Sequence, residues 1–175
     1  MPTLSRTFID YACYHVIIRG NQKQTVFREE DDFIKYFNIL KRALKKYDIR
    51  LYSYCLMPNH VHMLIEPVCS RNMSKFMHWL NRGYTAYFNT KYDMVGHLWQ
   101  GRFKSKPILK GEYLIHCANY IEANPVRAGM TSDISLYEWS SYNERCFTLK
   151  KTIIDDIVVE NKYGGTLLIS KLGTV

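Results

Sequence analysis

The chain has 175 residues, enough for one sizeable hydrophobic core and too few for two. Its hydrophobic content of 47% and aromatic content of 14% exclude intrinsic disorder, and no apolar run is long enough to span a bilayer. The net charge of +8 is unevenly placed: residues 1–130 carry 19 Lys and Arg against 10 Asp and Glu, and residues 131–175 carry 5 against 6. The five cysteines (Cys13, Cys55, Cys69, Cys117 and Cys146) are scattered, with no CxxC pair. That usage suits buried thiols in a reducing cytoplasm better than a disulfide framework or structural zinc, and the N-terminus lacks a secretory pattern.

In chain order, Cys13 to Ile18 is a β-prone run ended by Arg19-Gly20-Asn21, which predicts a first strand. Between Asp31 and Lys46, Phe33, Ile34, Phe37, Leu40, Ala43 and Leu44 recur at helical spacing behind the acidic group Glu29 to Asp32. Ile49 to Leu56 and His60 to Glu66 read as two strands of an antiparallel hairpin, broken by Met57-Pro58-Asn59. Ser74 to Phe88 reads as a second helix capped by Ser74, despite Gly83. A strand is expected around Lys104 to Leu109 and a helix from Gly111 to Ala123, closed by Asn124-Pro125. The order predicts an α+β fold: a ferredoxin-like antiparallel sheet with helices packed on one face. The runs TIIDDIVV and TLLIS, around Tyr163-Gly164-Gly165, suggest a terminal hairpin. The expected organisation is one domain over residues 1–142 with a tail over 143–175.

Two stretches, Tyr11 to Arg28 and Met94 to Gly111, contain no acid. The second sets Arg102, Lys104, Lys106 and Lys110 among Trp99 and Phe103, and the first supplies Arg19 and Lys23. Cations interleaved with aromatics suit a polyanion with exposed bases, although a solvated surface loop would read the same way.

His60 and His62 are two apart on a predicted strand, so both imidazoles point to one face while Val61, Met63 and Ile65 point to the other. Two rings on one face can share an ion, yet strand histidines are more often surface or core residues. Tyr120 is one of 14 tyrosines and would pass for packing, except that Asn124 follows one helical turn later and could add an oxygen to the two imidazoles. Pro125 disturbs that geometry, and Glu122 or Glu66 would serve as alternative oxygens. His15, His97 and His116 read as packing or solvated residues.

The strings CLMPNHVHMLIEP, LWQGRFKSKPI, NYIEANPVRAG and WSSY, in this order between about Tyr11 and Tyr142, resemble the single-tyrosine HUH-type transposases. The likeness is greatest to the REP-associated tyrosine transposases of the IS200-like family. It implies that His60 and His62 bind a divalent ion, Mg²⁺ or Mn²⁺, that Tyr120 is the catalytic tyrosine, and that Asn124 is a third, oxygen ligand. The implied activity is cleavage and rejoining of single-stranded or hairpin DNA through a 5′-phosphotyrosine, by a monomer or a homodimer with no membrane partner. A free tyrosine titrates near ~10, so such a nucleophile needs a nearby cation. The rival readings are a non-catalytic nucleic-acid-binding module and a metal-dependent hydrolase that activates water.

Overall fold

A computed structural model describes residues 7–147, 153–160 and 166–169. Strand β1 (Cys13–Arg19) leads through a short turn to helix α1 (Glu30–Tyr47), then to β2 (Ile49–Met57) and β3 (His60–Pro67). Helix α2 (Arg71–Tyr92), strand β4 (Lys104–Ile108), helix α3 (Glu112–Glu122) and the short helix α4 (Asn124–Arg127) follow. The short helix α5 (Tyr142–Cys146) precedes strands β5 (Ile157–Glu160) and β6 (Thr166–Ile169). The first four strands form one antiparallel sheet in the order β2-β3-β1-β4, the expected α+β arrangement. β5 and β6 pair antiparallel, and the turn expected at Tyr163-Gly164-Gly165 falls outside the described residues.

Strand alternation divides the sheet into two faces. Tyr14, Val16 and Ile18 of β1 and Val61, Met63 and Ile65 of β3 point into a core shared with α1 and α2. Cys13 of β1 and Leu64 of β3 point the other way, into a smaller cluster with Leu114, Ala118 and Ile121 of α3. The two long helices therefore share one face, and α3 covers part of the second. That second layer follows from α3's own stripe, since Leu114, Ala118 and Ile121 recur at helical spacing and need an apolar partner.

The helix spans differ in detail from the sequence expectation. α1 buries Tyr36 and Ile39 beside Leu40, Ala43 and Leu44, while Ile34 lies exposed, so the stripe is turned from the one the spacing suggests. Its entry is closed by a reciprocal capping box between Glu29 and Asp32. α2 starts a turn earlier than Ser74, because Met73 is fully buried and extends the stripe of Phe76, Met77 and Leu80 backwards. At Gly83 the helices come close: a methyl group there would meet Ile39 Cγ2 at 3.5 Å.

Gly20 fixes the end of β1. A Cβ there would collide with the Gln24 carbonyl oxygen, and the Gly20 N–H donates to the Asn59 carbonyl at 2.8 Å. Asn21 N–H donates to Leu98 O and Gln100 N–H to Arg19 O, each at 2.8 Å, so the segment entering β4 is pinned to the same corner.

Candidate active site

The β1–β3 register sets Arg19 opposite His60 and Ile17 opposite His62. On the pleat this brings the side chains of His15, Arg19, His60 and His62 to the α3 side of the sheet. His60 and His62 lie edge to face with ring centroids 4.9 Å apart. His60 Nδ1 is 2.5 Å from Asn59 Oδ1, and His62 Nδ1 is 2.9 Å from His15 Nε2. In both rings Nδ1 is engaged, which leaves Nε2 as the nitrogen for any further partner.

Burial, with Arg19 nearby, pushes the His60 pKa down to about 4. Burial and the neighbouring His60, His15 and Arg19 push His62 down to about 3. Both rings are therefore neutral near pH 7, the form in which imidazole is a ligand. Burial, reinforced by Lys106, lowers His15 as well.

Tyr120 stands beside this cluster. Its ring meets the His15 ring edge-on with centroids 6.1 Å apart, and it is 42% exposed, whereas Ala118 and Ile121 beside it are buried. The Arg127 guanidinium lies over the Tyr120 ring, 4.9 Å from its centroid, because α4 follows α3 directly through the helical backbone of Ala123 and sets Arg127 two turns after Tyr120. Asn124 Nδ2 donates to the carbonyls of Tyr120 at 2.9 Å and Ile121 at 3.1 Å. The amide thus caps the end of α3, and its Oδ1 is the atom left to accept or ligate.

The alternative oxygens are committed elsewhere. Glu122 is buried, accepting from Ser141 Oγ at 2.6 Å and from Arg145 Nε at 3.1 Å. Glu66 is buried beneath Arg50 at 3.0 Å and Lys110 at 2.8 Å, and it accepts from the Tyr52 hydroxyl at 3.1 Å. Among the described residues, no group of three or more His, Cys, Asp and Glu is placed to hold an ion, so a third ligand would be an amide or water. Two neutral imidazoles, each with Nε2 available, and one amide oxygen fit a divalent cation by donor chemistry.

The expected cations divide by position. Lys104 pairs with Ile17 and Lys106 with His15 in the β1–β4 register, so these two exposed lysines border the histidines. Arg19 borders His60, and Lys23 lies in the turn beyond β1, where its carbonyl accepts from Asn59 Nδ2. Lys110 instead neutralises Glu66 near the opposite end of β1. Trp99 is a core residue, packed against Tyr84 and Tyr36. Phe103 stacks on Phe8. Arg102, Trp99 and Phe103 line a cavity of about 950 Å³ between α2 and the segment entering β4, with Asn81 and Arg82. None of His15, His60, His62 and Tyr120 lines it.

His15 and Arg127 were not expected at the site. His15 was readable only through strand pairing, since its own neighbours Tyr14 and Val16 mark the opposite face as core. Arg127 lies on α4, which carries the helical path on through Asn124-Pro125, where the sequence expects the helix to close.

Residues 9–124 match the family described as "Transposase IS200 like". A Haemophilus influenzae protein provisionally named a REP-associated tyrosine transposase is 27% identical over 124 residues, which cover 64% of this chain and 70% of that protein. Among solved structures, a REP-associated tyrosine transposase bound to a REP hairpin superposes with a TM-score of 0.71 at 15% identity, covering 89% of this chain and 94% of that one. A Deinococcus radiodurans protein provisionally described as a transposase gives a TM-score of 0.48 at 17% identity, over 69% of this chain and 96% of its own. With the match spanning the strand that carries the histidines and the helix that carries the tyrosine, the chain belongs to the IS200-like transposase family.

Proposed function

We propose that this transposase cleaves and rejoins single-stranded or hairpin DNA through a 5′-phosphotyrosine formed on Tyr120. The observation that carries the reading is the meeting, on one side of the sheet, of an exposed tyrosine with two neutral imidazoles joined to it through His15. His60 and His62 through Nε2, and Asn124 through Oδ1, would hold the divalent cation, Mg²⁺ or Mn²⁺ by family likeness. When bound, that cation supplies positive charge to a non-bridging oxygen of the scissile phosphate.

The Tyr120 oxygen attacks phosphorus as its proton leaves to solvent, and the bond to the 3′ oxygen breaks. That oxygen departs with the electron pair and takes up a proton, giving a free 3′-hydroxyl and a protein-linked 5′ end. The new ester keeps a phosphodiester's chemical potential, so a 3′-hydroxyl can attack it in reverse and seal the strand without a nucleotide cofactor. Arg127 places a cation against the nucleophile's ring, and Arg19, Lys104 and Lys106 border the path of the phosphates. The hairpin in the structural neighbour supports a folded single strand as substrate.

The test is incubation of the full chain with a hairpin oligonucleotide and Mn²⁺, followed by denaturing electrophoresis. A shifted, protease-sensitive DNA species is expected from the native chain and none from Tyr120→Phe, with binding kept within about threefold. An adduct formed equally by Tyr120→Phe would remove Tyr120 from its role, and free ends without an adduct would favour water as the nucleophile. Mixing Tyr120→Phe with His62→Ala reports on a homodimer: recovered adduct means that one copy's tyrosine serves the other's histidines.

A further inference from the structure

We infer that His15 is a positioning residue for the cation site: it accepts a hydrogen bond from His62 Nδ1 and thereby selects the tautomer of His62 that can ligate through Nε2. The inference rests on the proposed role of His60 and His62 as ligands.

A neutral imidazole carries one proton on one of its two nitrogens. Between His15 Nε2 and His62 Nδ1, 2.9 Å apart, one atom must donate and the other accept. If His15 donates, the His62 proton sits on Nε2, which then has no lone pair to offer a cation. If His62 donates, its Nε2 is bare. His60 meets an oxygen, Asn59 Oδ1, which can only accept, so the His60 proton is on Nδ1 and Nε2 is again bare. The two histidines act as a matched pair only when His15 is the acceptor.

The surroundings hold His15 to that task. Its ring lies nearly parallel to His62, with centroids 5.1 Å apart and planes at 26°. Its other side meets Tyr120 edge-on, and Lys106 pairs with it across β1 and β4. The ring is thus clamped between a proposed ligand and the proposed nucleophile, and it fixes the orientation of His62 without touching the cation. Partners of this kind, set behind a ligating histidine, typically alter metal affinity by about 10–100-fold.

The experiment measures Mn²⁺ binding to the full chain by electron paramagnetic resonance, without DNA. His15→Leu removes the acceptor and is expected to weaken binding about 10–100-fold. His15→Gln restores an oxygen near the Nε2 position and is expected to return affinity to within about threefold of the native chain. Nitrogen-15 spectra of the metal-free native chain supply a second readout that needs no variant: the His62 proton is expected on Nδ1. A His62 proton on Nε2, or native affinity in His15→Leu, overturns the inference. If His62→Ala loses Mn²⁺ while His15→Leu keeps it, only the role of His15 falls. If His60→Ala and His62→Ala bind Mn²⁺ as the native chain does, the ligand assignment falls as well.

Discussion

Glu66 and Glu122 are both carboxylates buried under the α3 layer, and their partners differ in exposure. Arg145, which pairs with Glu122, is itself buried and also donates to the Tyr52 carbonyl. Removing one member of such a pair strands the other charge in an apolar setting. Arg145→Ala is therefore expected to lower stability by about 3–5 kcal/mol, read from urea unfolding, whereas Arg50→Ala, whose side chain is half exposed and leaves Lys110 on Glu66, is expected to cost about 1 kcal/mol. Equal losses would mean that burial of the cation does not govern the cost. At this scale the sequence was informative where two residues alternate along one strand, as His60 and His62 do. It was silent where the partner arrives from another strand or from beyond an expected helix end, as His15 and Arg127 do, because pairing register is not encoded in local spacing and Pro125 reads as a stop where α4 carries on. Trp99 shows the same limit: an aromatic among cations reads as a stacking surface, and the core has claimed its ring.

α1 and α2 meet along a seam in which Asp32 is a fully buried carboxylate. Burial opposes its charge, but hydrogen bonds from Tyr92, Lys91, the Arg28 backbone and Tyr87 outweigh it, and its pKa lies below the usual carboxylate value. A depressed folded pKa gives stability that is fully present above the unfolded value of ~4 and is lost as pH falls through the folded value. Asp32→Asn is expected to cost about 2 kcal/mol at pH 7 and to flatten the acid limb of a plot of melting temperature against pH; a variant keeping the native acid slope would place that slope elsewhere. Gly83 offers the opposite sign. A Cβ there makes an ordinary contact with Ile39, so Gly83→Ala is expected to raise stability by about 0.5–1 kcal/mol in the same unfolding assay. Periodicity placed every strand of the main sheet and its three long helices, since burial of one face per element dictates them, but α2 runs three residues earlier and four residues later than Ser74 to Phe88. It misjudged the start of α2 because Ser74 resembles a cap while Met73, a residue earlier, already packs in the core.

Across the molecule, the sheet order brings together residues far apart in sequence: His15 from β1, the His60–His62 pair from β3 and Tyr120 from α3. The family likeness named that meeting, whereas composition gave only its electrostatic setting, a basic first three-quarters. Lys104 and Lys106 lie on the strand beside His15, so their replacement with Glu is expected to weaken binding of single-stranded DNA and to reduce the slope of log affinity against log salt by about 1 per lysine. An unchanged slope would remove them from the DNA path.

The two rims of the main sheet are protected by different means. Along β2, the chain itself closes the margin: Leu56 N–H donates to Trp139 O, Ser141 N–H to Tyr54 O and Leu51 N–H to Asp155 Oδ2. Along β4 the guard is chemical, with two exposed lysines and Pro107 on a strand whose one sheet partner among the described residues is β1. Lysines that repel a second sheet also leave that border accessible to a polyanion, so exchanging them for threonine would cost nucleic-acid affinity and invite edge-to-edge self-association at once.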